Sequence, residues 1–260
     1  MKRMHILDRY MFNPGHPITV NVFGAGGTGW IVVEQLTKLN LGLLALDHPG
    51  LFVRVFDHDR LAPENRARIL FNDYELGVNK AIAVVNRQNR EFGFNWEAVD
   101  QMFTLDNAFD NEDTFANIII SCVDKVQPRR EISEFVNKAA IANLTPEIQP
   151  KYWIDTGNNV TTGQVWMGTV GEIKQPASKK YITVGKIKNI VEEYGAILHD
   201  EPGQPSCSAR ESLAKQDLFI NGKVAQEAVH LLWKFLKNGY TVNKGMVINA
   251  DEDVVQGIPV

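Results

Sequence analysis

Residues Ile18–Gly29 read ITVNVFGAGGTG, and Phe52–Asp59 read FVRVFDHD. The first stretch is a short β-branched run that ends in four glycines, Gly24, Gly26, Gly27 and Gly29. An apolar run of this length, bounded by turn residues, is the pattern of a parallel strand buried on both faces. The glycines let the chain turn tightly and bring backbone N–H groups close to an anion. A helix expected to begin near Thr28 adds the positive end of its dipole. Val53–Asp57 reads as the next parallel strand, with an acid at its carboxyl end, where such sheets bind a ribose. These features predict a nucleotide site at the sheet's carboxyl edge.

Outward from this core, Trp30–Asn40 carries Ile31, Val32, Leu36 and Leu39 at helical spacing, as the covering helix of a βαβ unit does. Asn40–Gly50 is a leucine-rich stretch ending in DHPG, longer than a minimal crossover needs. The polar segment after Asp59 is too irregular for a strand, and Lys80–Glu91 returns to helical spacing through Ala81, Val84 and Val85. Thr114–Val123 contains a third buried strand, NIIISCV, closed by Asp124. Pro128–Ala142 reads as a helix. Tyr152–Gly157, YWIDTG, looks like another strand followed by an acid and a glycine. Gln164–Val170 alternates as an antiparallel strand does, and Pro202–Ser208 reads as loop. Leu218–Leu236 is a long amphipathic helix stopped by Gly239. Residues 1–16 read as an arm leading into the first strand.

The predicted fold is therefore α/β: a Rossmann-like, doubly wound, mostly parallel sheet with antiparallel strands added in the C-terminal half. The 260 residues suit one domain, 1–260, with a nucleotide-binding half over about 17–150 and a second half over about 151–260. A net charge of −4 offers no basic footprint for nucleic acid. No apolar run is long enough to cross a bilayer, and MKRMHILDRYMF lacks the apolar core of a signal peptide. The expected location is cytoplasmic. Two cysteines, Cys122 and Cys207, cannot supply a disulfide framework or a cysteine-rich zinc site.

The glycine fingerprint alone is compatible with a dinucleotide cofactor such as NAD, and the charges around it favour another ligand. Asp57 and Asp59 end the second strand; Asn65, Arg66, Arg68 and Lys80 follow, and Asp124 closes the third strand. A dinucleotide needs one ribose acid and few further charges. A triphosphate needs cations along its tail and a carboxylate for Mg²⁺, so the set suits ATP and Mg²⁺ better.

GAGGTG, VFDHDRLAPENRARILF, ELGVNKA and IIISCVD, in this order, resemble the ThiF/MoeB-type branch of the ubiquitin-activating-enzyme superfamily. LDHPG, PSCS and QDLFIN add a nearer likeness to the ThiF-family component of the bacterial plasmid-associated PRTRC system. The resemblance covers most of Ile18–Asn249. It implies an enzyme that adenylates the C-terminal glycine of a small ubiquitin-like or sulfur-carrier protein with MgATP, acting as a homodimer. By matching position it gives Gly24, Gly26, Gly27 and Gly29 to the nucleotide turn and Asp57 to the ribose, with Asp59 nearby. Asn65 and Arg68 go to the phosphates, with the arginine able to come from the partner subunit in homodimeric members, Lys80 to phosphate charge and Asp124 to Mg²⁺.

The sequence departs from the family pattern in four places. Ile69 stands where the family has glutamine, and Lys125 where it has asparagine. The paired CxxC motifs of zinc-binding relatives are missing, so no structural zinc is expected. The N-terminal arginine that reaches a partner subunit has only Arg3 and Arg9 as candidates.

Each candidate also has a plainer reading. Asp59 can cap a turn, Lys80 can lie on a helix face, Asp124 can cap the next helix, and Arg66 can be a solvated surface residue. Cys122, in an apolar run, behaves as a small hydrophobe. Cys207, in a polar loop before an expected helix start that would lower its pKa, is either incidental or, as its position in the resemblance implies, the nucleophile of a thioester step. The six histidines show no ligand spacing. Trp153 and Trp166 read as sheet core. Rival functions are an NAD-linked oxidoreductase, activation of a small carboxylate such as one on modified tRNA, and a nucleotide-binding scaffold without turnover.

Overall fold

A computed structural model of the chain describes residues 1–199 and 216–260. Among them one eight-stranded sheet runs through the molecule. Its parallel part is built from β2 (Ile18–Phe23), β3 (Leu51–Phe56), β4 (Glu97–Val99), β5 (Ile118–Ser121) and β6 (Tyr152–Asn158). β7 (Thr162–Thr169), β10 (Asn243–Asn249) and β11 (Val254–Pro259) continue it antiparallel, giving the order β11-β10-β7-β6-β5-β2-β3-β4. The fold class read from the sequence is therefore the one observed. From β2 the chain goes to β3 on one side, and β5 lies on the other, so the order reverses between β2 and β5. Ligands of open α/β sheets bind outside the carboxyl ends of strands at such a reversal.

Helices cover both faces because the strands are apolar on both. α2 (Gly27–Leu44), α3 (Lys80–Phe92) and the long α6 (Ile220–Asn238) lie over one face, against Val20, Val22, Val53, Val55, Ile118 and Ile120. α4 (Val126–Ala139) and the short α5 (Ile190–Tyr194) lie over the other, with Phe23, Ile119, Trp153 and Trp166. Both tryptophans are core, as read.

α2 is longer than the 30–40 span expected, and its last turns explain the leucine-rich stretch. The Asn40 side chain accepts from the N–H of Leu51 (2.7 Å), while Asp47 (φ 60°) and Gly50 (φ 87°) reverse the chain into β3. α3 keeps the expected start: the Asn79 side chain caps it by accepting from Ile82 N (2.9 Å). α4 sits two to three residues earlier than expected. α6 ends at Gly239 in the left-handed region (φ 72°), the usual glycine stop. Leu218, expected on its stripe, precedes it and is half exposed.

The N-terminal segment is no arm. β1 (Arg3–Ile6) pairs in parallel with β8 (Ile182–Thr183) and antiparallel with β9 (Tyr240–Thr241), and α1 (Arg9–Phe12) follows it. The ring of His5 is buried between Val184 O (2.6 Å, Nδ1) and the Tyr152 hydroxyl (3.0 Å, Nε2). That hydroxyl accepts in turn from Asp8 N (2.8 Å). Burial lowers the pKa of His5 in spite of the Val184 carbonyl and Asp8, so the ring is held neutral. Of the two candidate arginines, Arg3 donates to the carbonyl of Val260 (3.0 Å), and Arg9 opens α1 with its side chain exposed.

Candidate functional site

The glycine turn is sterically obligatory at two of its positions. Gly24 has φ +96°, and a Cβ there would lie 2.8 Å from the carbonyl oxygen of Cys122. A Cβ on Gly29 would lie 1.9 Å from the carbonyl oxygen of Gly24. Gly26 is different: it is the N-cap of α2, and a Cβ on it would meet no atom within 4 Å. Its outer side is open, as backbone that must approach a ligand closely requires. The first turn of α2 carries no acid to compete for its N–H groups.

Asp57 braces this turn against the end of β3. One carboxylate oxygen accepts from Ala25 N (2.6 Å) and the other from Asp59 N (2.8 Å). Lys80 is buried at the start of α3 and donates to Asp59 (2.8 Å), so it is no solvated helix-face lysine. Partial burial raises the pKa of Asp59, but the hydrogen bond and charge of Lys80, with a smaller contribution from His58, outweigh it and the net shift is downward. Asp57, His58 and Asp59 bring ligand atoms within 4.8 Å of one another. Lys80 and the backbone N–H groups already serve those two carboxylates, which disfavours a cation there.

Arg68 and Asp124 interact through their charges. A 3-10 turn over Pro63–Ala67 delivers Arg68 so that its Cβ lies 3.0 Å from where a Cβ of Gly27 would stand. Burial lowers the pKa of this guanidinium, and the charge of Asp124 partly offsets that. Asp124 is exposed just beyond β5, and it does not cap α4: the N-cap is Lys125, with no side-chain cap bond. The Asn65 side-chain oxygen accepts from Ala62 N (2.9 Å) and thereby shapes the turn that carries Arg68. Ile69, at the family's glutamine position, is core. Arg66 pairs with Asp73 at the surface. Cys207 lies outside the described residues.

Two readings need correction or addition. Asp155 does not close a strand. It sits within β6, buried and ion-paired to Arg129 (3.1 Å). Cys122 follows β5 rather than lying inside it, and burial pushes its thiol up to about 12. The sequence reading also missed Asn158 and Asn221, whose side-chain oxygens accept from the hydroxyl of Thr28 in the glycine turn (3.2 and 2.9 Å). Asn221 shares the buried stripe of α6 with Val224, Ala225 and Ala228, and a polar residue on such a stripe was its signal. A separate groove of about 850 Å³, bordered by α2, α3 and residues 70–74, lies away from this cluster and has no glycine turn.

The sequence profile described as "ThiF family" matches residues 17–255. The chain is 27% identical over 186 residues to the ubiquitin-like modifier-activating enzyme 5 of Branchiostoma floridae, covering 66% of this chain and 41% of that protein. To the Drosophila erecta enzyme of the same name it is 28% identical over 179 residues, covering 64% and 39%. The chain thus spans about two fifths of the length of these relatives. Among solved structures, Escherichia coli MccB with MccA superposes at a TM-score of 0.61 with 15% identity, covering 96% of this chain and 65% of that one. PaaA superposes at 0.61 with 13% identity, covering 94% and 64%. These two likenesses show the fold.

Proposed function

This chain belongs to the ThiF family, and on that premise we propose that it is an adenylating enzyme that uses ATP to activate the C-terminal glycine carboxylate of a small ubiquitin-like or sulfur-carrier protein. The observation that carries the reading is Arg68 packed against the glycine turn under the charge of Asp124, with the Lys80–Asp59 pair at the adjoining strand end. A dinucleotide cofactor has no use for so many charges, whereas a triphosphate does.

In this reading the N–H groups of Gly26–Gly29 and the N-terminus of α2 hold phosphate oxygens, with the open side of Gly26 giving them room. Asp57, at the end of β3, takes the ribose, with Asp59 beside it. Lys80 and Arg68 neutralise phosphate charge, and Asn65 supports the turn that carries Arg68. The substrate carboxylate attacks the α-phosphorus, a new acyl–oxygen–phosphorus bond forms, and pyrophosphate leaves with the electrons of the broken bond. Positioning and charge neutralisation supply most of such catalysis. An exposed carboxylate just beyond β5, close enough to act on the Arg68 guanidinium, fits Mg²⁺, which is usually held by one or two carboxylates and phosphate oxygens. When bound at Asp124, that ion would offset charge on those oxygens.

The proposal extends to a homodimer, to a location in the cytoplasm, to kinship with the PRTRC component, and to a partner surface in the half from about Tyr152. A thioester step, where it follows, falls to Cys207, because the buried thiol of Cys122 stays protonated near neutral pH. Its signature is a dithiothreitol-sensitive conjugate that Cys207→Ser abolishes; a conjugate that survives this change assigns the step elsewhere.

Isothermal titration with MgATP and with NAD separates the leading reading from the oxidoreductase. MgATP is expected to bind, and Lys80→Ala to weaken it by roughly 10–100-fold, the loss of one charge-assisted hydrogen bond. Tight NAD binding indifferent to Lys80→Ala would overturn the assignment.

A further inference from the structure

One buried charged pair has no part in the chemistry above. Arg129, on the first turns of α4, is almost fully buried on the stripe it shares with Ile132, Ser133 and Val136. Its Nε reaches both carboxylate oxygens of Asp155 (3.1 Å each). Its Nη2 donates to Val123 O (2.7 Å) and Thr156 O (2.9 Å), and its Nη1 to Lys125 O (3.2 Å). One guanidinium thus grips the carbonyls on both sides of Asp124 and ties them to β6.

The rest of the segment is held from the same side. The Ser121 hydroxyl donates to Asp155 (2.6 Å) and accepts from Trp153 Nε1 (2.8 Å). The Thr156 hydroxyl donates to Ser121 O (2.9 Å), and Cys122 N donates to Phe23 O (2.8 Å) at the end of β2. A buried ion pair is weak grounds for stability, because desolvation consumes much of the Coulomb gain and apolar replacements are often as stable. The geometry offers a use that an apolar pair could not serve: a planar fork of five donors fixes several acceptors at once.

We propose that Arg129 is a positioning residue: braced by Asp155, it fixes the Val123 and Lys125 carbonyls and thereby aims the Asp124 carboxylate at the glycine turn and Arg68. This rests on the adenylation reading, which gives Asp124 its role.

Arg129→Lys keeps a cation beside Asp155, but a single ammonium cannot span three carbonyls. The readout is Mn²⁺ binding, followed by electron paramagnetic resonance in the presence of α,β-methylene-ATP, with circular dichroism to verify folding. Arg129→Lys is expected to weaken Mn²⁺ binding by roughly 10–100-fold, as loss of an outer-shell partner does, while metal-free nucleotide binding is retained. With Asp124→Asn already present, Arg129→Lys is expected to add no further loss, because the two act through one group. Should Arg129→Lys fail to fold, the double variant Arg129→Met/Asp155→Leu removes the grip without leaving a buried charge and is expected to show the same loss. Parental metal affinity in a folded variant, or an undiminished loss on top of Asp124→Asn, overturns the proposal. Absence of Mn²⁺ binding in the parent chain instead overturns the role of Asp124 itself, and the inference with it.

Discussion

Asp124→Ala is expected to reduce ATP–pyrophosphate exchange by roughly 10²–10³-fold, the usual loss when one preorganised charge-stabilising group is removed from a reacting centre. The fold should survive, because the side chain is exposed and the cap of α4 is Lys125. The change acts twice: it removes the carboxylate proposed to hold Mg²⁺ and the charge that supports the Arg68 guanidinium. Cys122→Ala is the matched control, since that thiol is buried beneath the turn and assigned no chemistry. Exchange that is unchanged in Asp124→Ala would remove the metal assignment.

Gly29→Ala is the second large effect, and it falls on the fold as well as the ligand. The added carbon would stand 1.9 Å from the carbonyl oxygen of Gly24 and 2.8 Å from its carbonyl carbon. Both are backbone atoms of a turn fixed by Asp57 and Cys122, so they cannot swing aside as a side chain would. Overpacking of this kind costs about 3 kcal/mol or more, a fall in melting temperature of roughly 6–12 °C for a chain of this size. Gly26→Ala makes the contrast, because its Cβ meets nothing within 4 Å. It is expected to keep the parental melting temperature and to weaken MgATP binding by intruding on the phosphates. Calorimetry and nucleotide titration of the two variants check this. Equal effects on stability would mean that the turn has another shape.

The glycine turn and the strands around it were legible because a buried parallel strand leaves little choice of residue, and only glycine permits the turn that follows. α3 and α6 were legible through their apolar stripes, and α6 also through its glycine stop; the asparagine cap of α3 was not read. α2 was cut short because it packs against the sheet, α3 and α6 together, so its apolar residues are not confined to one stripe. The N-terminal strand was missed because its four residues pair with Ile182–Thr183 and Tyr240–Thr241, far along the chain. Asp155 was misread for a related reason. Its pattern of strand, acid and glycine matches Val53–Asp57, and only the guanidinium of Arg129, 26 residues away, shows it to be internal. Arg68 and Asp124 were assigned to one site only through the resemblance, since no local pattern joins residues that far apart.

The proposed chemistry requires the glycine turn at the carboxyl edge of the sheet to hold a triphosphate with its α-phosphorus open to a carboxylate. ATP–pyrophosphate exchange, run with small glycine-ending proteins encoded beside this chain, tests it most directly. Label from pyrophosphate is expected to enter ATP only when such a protein is present with its terminal glycine intact. Label that never enters ATP, or ATP cleaved to ADP instead, would contradict it.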